Sequence, residues 1–110
     1  MSAPRTIAEL NDAFRKGLSD GTRLVTAGIA ALSDLDRFLI QLRVQAFDSF
    51  TPDNDPYGEH DFGSFDHPVA GRVFWKIDYY DRPNTGHGSE DPADPNRTTR
   101  VLTIMLASEY

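Results

Sequence analysis

The clearest strand of the chain spans residues 72–80, which read Arg72-Val73-Phe74-Trp75-Lys76-Ile77-Asp78-Tyr79-Tyr80. Its side chains alternate between two sets, and a period of two is typical of a β-strand. One face is apolar or aromatic throughout and carries Val73, Trp75, Ile77 and Tyr79. The other face is mixed and carries Phe74, Lys76, Asp78 and Tyr80. We therefore expect this strand to lie in a sheet that covers a core with one face only.

Two helices and three more strands are predicted around this strand. Thr6 and Glu9 have capping-box spacing and start a helix over residues 6–17, and Ser33 with Asp36 starts a second over residues 33–50. The remaining predicted strands cover residues 22–27, 60–65 and 99–107. The order α-β-α-β-β-β indicates an α+β fold, a two-layer domain of about four mainly antiparallel strands with two helices. At 110 residues, the chain fits one domain over residues 1–110.

The apolar pattern also predicts where these elements lie. The run Val101 to Leu106 is almost continuously apolar, which favours a central strand. The second helix should turn a stripe toward the core that consists of Leu35, Phe38, Leu39, Leu42 and Ala46. The strand at residues 72–80 is expected to leave an exposed sheet edge, through which a monomer could form a homodimer.

Composition excludes several classes of function. The net charge of -6 argues against direct nucleic-acid binding, which needs clustered Lys and Arg to neutralise phosphate. The absence of cysteine excludes disulfides, thiolate metal sites and cysteine nucleophiles. No apolar run is long enough to span a bilayer, and the first residues lack the apolar segment of a secretory signal. We therefore expect a cytoplasmic protein with no membrane contact.

The acidic loop, residues 51–59, is the most plausible place for function. Between Val44 and Gly71 the chain has six carboxylates and no Lys or Arg, so their repulsion must be offset by something. Pro52, Pro56 and Gly58 exclude regular structure and indicate a shaped loop. A long exposed connection is predicted over residues 81–98. The candidate binding residues of this acidic and aromatic region are Asp53, Asp55, Tyr57, Glu59, His60, Asp61, Phe62 and Tyr80.

A divalent cation is one explanation for the grouped acids. Asp53, Asp55 and Gly58 match three positions of a calcium loop, but Tyr57 and Ser64 occupy positions where such a loop needs ligands. A looser metal site could use Asp53, Asp55 and Asp61, with His60 as a further ligand or a general base. The competing interpretation is a loop whose carboxylates bind backbone amides and whose histidine is structural. We expect no cofactor other than such a cation.

Other catalytic arrangements find little support. Lys76 and Asp78 resemble part of a metal-dependent nuclease site, but Phe74 stands where that chemistry needs a carboxylate. No Gly-x-Ser-x-Gly elbow and no phosphate-binding glycine loop is present. Nucleophilic catalysis is therefore not indicated.

Three blocks of sequence resemble a domain family of small bacterial proteins of unassigned function. The blocks are Asp53 to Gly63, Trp75 to Asp81 and Thr99 to Tyr110, and the resemblance extends from about residue 10 to the end of the chain. They mix aromatic, acidic and amide residues that a fold alone would not demand. The resemblance implies an origin on alphaproteobacterial plasmids and other mobile elements, and it implies no catalytic residues.

Two functional hypotheses follow. In the first, which we favour, the protein is a non-catalytic interaction module of a mobile element, and its acidic loop binds a basic host or plasmid protein. In the second, it is a divalent-metal-dependent hydrolase that uses residues 53–61. The lack of a basic group in this loop to hold an anionic substrate argues against the second hypothesis.

Overall fold

The computed structural model describes residues 5–82 and 86–110. Within these ranges the protein is a mixed α/β fold with three α-helices, four strands and a final 3-10 turn. The elements, in chain order, are α1 (Ile7–Arg15), β1 (Thr22–Val25), α2 (Ala27–Ala30), α3 (Asp34–Ala46), β2 (Phe62–His67), β3 (Gly71–Asp81), β4 (Thr98–Leu106) and the 3-10 turn (Ala107–Glu109).

The sheet has the strand order β1-β4-β3-β2. β2 and β3 form an antiparallel hairpin, and β3 pairs antiparallel with β4. β1 pairs parallel with β4, with Thr22 opposite Val101. β4 is therefore an interior strand, as its apolar sequence predicted, and the sheet is mixed because β1 runs parallel to its neighbour.

Local chemistry explains where the two longer helices begin. The Thr6 side chain accepts a hydrogen bond from the Glu9 amide, while the Glu9 carboxylate accepts one from the Thr6 amide. This capping box satisfies amide groups that have no partner within α1. Ser33 caps α3 in a similar way by accepting a hydrogen bond from the Asp36 amide.

All three helices contribute to one hydrophobic core on one face of the sheet. The sheet supplies Trp75 at its centre, which is fully buried, and the helices supply Phe14, Ile29, Ile40 and Val44. Gly63 on β2 allows close packing there, because a Cβ atom at this position would lie 2.5 Å from Trp75 Nε1. No helix in the described ranges is both long and apolar enough to cross a membrane.

The orientation predicted for α3 is wrong. The helix buries Ile40 and Val44, while Leu35, Phe38, Leu39 and Leu42 are all exposed. The helix also ends at Ala46 rather than near Phe50, because the Phe47 backbone is already extended. The sequence thus contains two apolar faces on one helix, and the smaller one packs against the sheet.

The predicted exposed edge at residues 72–80 is also wrong. β3 pairs with strands on both sides, so the edges of the sheet are β1 and β2. The fold contains one helix that the prediction missed, α2, which begins at the last residue of the predicted strand 22–27 and ends before the predicted helix 33–50. The α+β class is therefore confirmed, and the predicted helix number and pairing only roughly match the structure.

Candidate acidic binding loop

Asp55 holds the acidic loop in shape from the inside. It is only 9% exposed, and its Oδ1 accepts a hydrogen bond from the Glu59 amide at 3.1 Å. Its Oδ2 accepts another from the His60 amide at 3.2 Å. A carboxylate that binds two amides fixes the backbone between them, so Asp55 stabilises the turn rather than presenting a charge to solvent.

His60 connects the loop to α1. Its backbone has a positive φ of 57°, an uncommon conformation for a residue with a side chain. Its Nδ1 lies 2.9 Å from Asp12 Oδ1, and its ring stacks on Phe50 at a centroid distance of 4.0 Å. These contacts agree with a structural role for His60, since one ring nitrogen binds Asp12 and the ring packs on Phe50.

Asp12 is also bound by Arg15, a buried residue of α1. Arg15 Nη1 donates to Asp12 Oδ1 at 2.9 Å, and Nη2 donates to the Phe47 carbonyl oxygen at 2.9 Å. Burial tends to raise the pKa of Asp12, but the hydrogen bonds from Arg15 and His60 outweigh it and hold that pKa below its usual value. The Asp12 carboxylate is thereby kept ionised where the loop meets the helix.

Glu59 belongs to a second network that reaches the sheet. The Tyr79 hydroxyl donates to Glu59 Oε2 at 3.2 Å and accepts a hydrogen bond from Asn11 Nδ2 at 2.8 Å. The same Asn11 nitrogen donates to the Glu59 carbonyl oxygen at 2.9 Å. Burial, together with the neighbouring carboxylates of Asp61 and Glu59, raises the pKa of Tyr79, so its hydroxyl keeps the proton that it donates.

The surroundings of Asp61 disfavour its ionised form. Burial raises the pKa of Asp61, and the nearby carboxylates of Glu59, Asp55 and Asp78 raise it further. None of the ion pairs among the described residues joins Asp53, Glu59 or Asp61 to a basic side chain. Within the described residues, these three carboxylates therefore carry their negative charge without a direct ion pair, although Arg100 interacts electrostatically with Glu59.

The tip of the loop presents different groups to solvent. Tyr57 is 87% exposed, and Asp53 and Pro56 are exposed beside it. Asn54 supports this tip, since its side chain accepts from the Thr51 amide at 2.9 Å and donates to the Ser49 carbonyl oxygen at 2.9 Å. The Tyr57 ring and the Asp53 carboxylate are thus exposed on a backbone that hydrogen bonds within the loop hold in place.

Phe62 and Tyr80 lie apart from this tip. Phe62 packs on Phe74 and Tyr110 on the face of the sheet opposite the core, with centroid distances of 5.5 and 5.9 Å. Tyr80 lines a cleft of about 440 Å³ with Lys76 and Asp78, which form an ion pair of 3.1 Å. The structure therefore separates the predicted binding residues into a loop set and a sheet set.

The predicted metal ligands do not form a ligand cluster. Among residues 5–82 and 86–110 there is no group of three or more His, Asp or Glu side chains arranged to hold a metal ion. Asp55 is committed to backbone amides and Asp53 is exposed, so Asp53, Asp55 and Asp61 do not converge. For Asp55 the geometry favours the alternative in which a carboxylate binds backbone amides and shapes the loop.

Sequence reasoning missed the residues of α1 that support the loop. Asn11, Phe14 and Arg15 are all buried, and they share one face because they are three and four positions apart. Two polar side chains on an otherwise apolar face were a detectable sign of a buried polar contact. Asn11 binds Glu59 and Arg15 binds Phe47, each more than 30 residues away, and no local pattern reveals such contacts.

The protein is therefore a mixed α/β domain with a four-stranded sheet. Its helices pack in one core with the sheet, and the acidic loop is fixed to α1. The chain belongs to the family described as Protein of unknown function (DUF3768), whose model matches residues 25–109. No curated protein and no solved structure matches the chain. The match supports the resemblance to a family of unknown function and shows nothing of its members' origin.

Proposed function

We propose that this protein is a non-catalytic interaction module of a mobile element, such as a plasmid, and that the acidic loop binds a basic protein. The observation that carries the proposal is that some residues of this region fix its shape while others are exposed to solvent. Asp55 and His60 face inward and fix its shape, whereas Tyr57 and Asp53 face solvent. A preformed surface loses little conformational entropy on binding, which favours recognition over a flexible acidic tail.

Charge supports a basic partner in particular. The loop carboxylates Asp53, Glu59 and Asp61 have no basic side chain paired with them among the described residues. Burial and, after it, repulsion from neighbouring carboxylates raise the pKa of Asp61. A cationic surface would relieve that repulsion, so part of the binding free energy comes from charges already in place. Tyr57 adds an exposed aromatic ring, a residue type common at the centre of interfaces.

The first experiment measures binding of a short Lys- and Arg-rich peptide by fluorescence anisotropy at low and at physiological salt. We expect the double variant Asp53→Asn with Tyr57→Ala to bind about tenfold more weakly than the wild type. Glu90→Gln is the matched control, because Glu90 is exposed and lies outside the loop. Equal weakening in both variants would mean that net charge alone attracts the peptide, and the proposal would fail.

A second experiment identifies the natural partner. The wild type, the double variant and Glu90→Gln are each used to capture proteins from a lysate of a plasmid-bearing bacterium. We expect a basic protein that is retained by the wild type and by Glu90→Gln, and that is lost from the double variant and at high salt. Capture that is independent of salt and of Tyr57 would contradict the proposal.

A further inference from the structure

A positively lined cavity contrasts with the acidic character of the chain. Its volume is about 470 Å³, and its walls include Arg5, Arg82 and Arg100. Asp20 is the one carboxylate in that lining, while Leu10 and Pro95 provide apolar surface. In a protein with a net charge of -6, three guanidinium groups around one cavity are a local reversal of sign.

Arg100 is the residue that makes this cavity unusual. It is 5% exposed, and its Nε donates to Asn11 Oδ1 at 2.7 Å. Its Nη2 donates to the Pro92 carbonyl oxygen, and its guanidinium lies 5.3 Å from the centroid of the Tyr79 ring. Among the described residues, Arg100 has no ion pair with a carboxylate, and its Nη1 has no hydrogen-bond partner.

A buried charge without a counter-ion is energetically costly. Burial lowers the pKa of Arg100, which reflects the loss of hydration around its guanidinium. Buried arginines are normally paired with a carboxylate or phosphate, because the planar guanidinium can bind two oxygens at once. Nε and Nη2 bind neutral partners, and the Glu59 carboxylate acts on the guanidinium without forming an ion pair with it. No described carboxylate therefore contacts the Arg100 charge at the cavity wall.

Arg82 brings a second cation to the same wall. Its Nη2 donates to the carbonyl oxygens of Pro95 and Thr98, at 3.0 and 3.4 Å. These bonds orient the guanidinium and leave its charge unpaired, as no described carboxylate forms an ion pair with Arg82. Arg5 is exposed at the same cavity and likewise has no ion pair within the described ranges.

We propose that this cavity binds a small organic anion, either a carboxylate or a phosphate monoester. Its anionic oxygens would lie against Arg100 and Arg82, and its apolar part against Leu10 and Pro95. The cavity volume lies within the range of small-molecule sites, which is about 300–1,000 Å³. The cavity lining contains no residue of the acidic loop, so either proposal can fail without the other.

Calorimetric titration with four probes tests this site. The probes are benzoate, phenyl phosphate, acetate and inorganic phosphate. We expect one of the two aromatic anions to bind with a Kd below about 1 mM, and the corresponding small ion to bind about tenfold more weakly. Whether benzoate or phenyl phosphate binds distinguishes a carboxylate ligand from a phosphate ligand. If no probe binds, the proposal is wrong.

Matched variants locate the binding. Arg82→Gln should lower the affinity for the anion about tenfold, as expected for the loss of one guanidinium contact. Arg97→Gln is the control, since Arg97 is exposed on the same connection and does not line the cavity. Equal weakening in both variants would show that the anion responds to overall charge, and this would overturn the proposal. Neither variant removes a buried side chain, so both should fold.

The outward face of α3 carries a second, independent inference. Leu35, Phe38, Leu39 and Leu42 are 65%, 57%, 40% and 44% exposed, and their spacing places them on one face of the helix. Together they expose a contiguous apolar patch of about 400 Å², which is within the range of the largest patch on a typical monomer, and such patches are often functional. No described residue covers this face.

Charged residues beside the patch have opposite signs at the two ends of α3, so they would attract each other between two antiparallel copies. Two copies of α3 packed antiparallel about a two-fold axis would place Leu35 opposite Leu42 and Phe38 opposite Leu39. Asp36, near the start of the helix, would then lie close to Arg43 of the second copy, and Arg43 has no ion pair among the described residues. The two patches alone would supply about half of the area that a standard interface buries.

We infer that α3 forms the interface of a homodimer. The measurement is the molar mass in solution, by light scattering after size-exclusion chromatography. We expect twice the mass of one chain for the wild type, and the monomer mass for Leu39→Asp. Leu18→Asp is the control, because Leu18 is 77% exposed beyond the end of α1 and should leave the dimer intact. A wild type that stays monomeric at about 1 mM would contradict this inference.

Discussion

At the scale of single residues, the acidic loop contains carboxylates with opposite roles. Asp55 is buried and binds the amides of Glu59 and His60, whereas Asp53 is exposed two positions earlier. Asp61 is half-buried, and its raised pKa shows that its ionised form is disfavoured there. Residue type and spacing alone suggested one set of equivalent acids, and their different surroundings divide that set.

Asp55→Ala should destabilise the protein by about 1–2 kcal/mol, because it leaves two loop amides without their acceptor. Asp53→Ala is the control and should change stability by less than about 0.5 kcal/mol, as expected for an exposed site. The measurement is urea denaturation at neutral pH. Equal losses for both variants would show that Asp55 has no special structural role.

Asp61→Asn should stabilise the protein at neutral pH. The raised pKa of Asp61 means that folding favours its protonated form, so the ionised carboxylate costs stability above that folded-state pKa. As the pH falls, the wild-type carboxyl becomes protonated and the difference between the variant and the wild type should shrink. Melting temperatures across the acidic to neutral range measure this, and a gain that does not depend on pH would contradict it.

At the scale of elements, α3 shows how far periodicity can guide a prediction. Its start at Ser33 was predicted correctly, since the cap involves residues three positions apart. Its core-facing side was predicted wrongly, although the helix clearly has apolar stripes. Two faces, one with Ile40 and Val44 and the other with Leu35 and Leu39, satisfy the same period. The second face is larger, and so it misled the prediction.

Neighbouring residues of α3 provide a direct test of its orientation. Ile40→Ala should cost about 2–4 kcal/mol, because Ile40 is completely buried and its loss leaves a cavity. Leu39→Ala should cost less than about 1 kcal/mol at concentrations where the protein is monomeric, because Leu39 is 40% exposed. Chemical denaturation measures both, and the reverse order would mean that α3 is rotated about its axis.

At the scale of the whole molecule, the core depends on close contact between distant segments. Trp75 of β3 packs against Phe47, just beyond α3, at a centroid distance of 5.4 Å, and Gly63 of β2 lies against both rings. A Cβ atom at Gly63 would lie 2.8 Å from Phe47 Cε1. The missing side chain is therefore part of how the sheet and the helical layer fit together.

Gly63→Ala should destabilise the protein by about 1–3 kcal/mol, which is typical of overpacking in a well-packed core. Ser64→Ala is the control, because Ser64 is the next residue of the same strand and faces away from Trp75. The near-ultraviolet circular dichroism of Trp75 and the denaturation midpoint should both change in the first variant alone. Little change in either would mean that the core is loosely packed at this position.

The sequence by itself determined the starts of α1 and α3, the strand β3 and the interior character of β4, because caps and periodicity depend on residues close together in the chain. Only the tertiary structure decided which face of α3 is buried, that β1 pairs parallel with β4, and that Asp55 faces inward while Arg100 lines a cavity. Each of these depends on partners that lie far away in the chain or on the choice between equivalent faces, and local patterns carry no information about either.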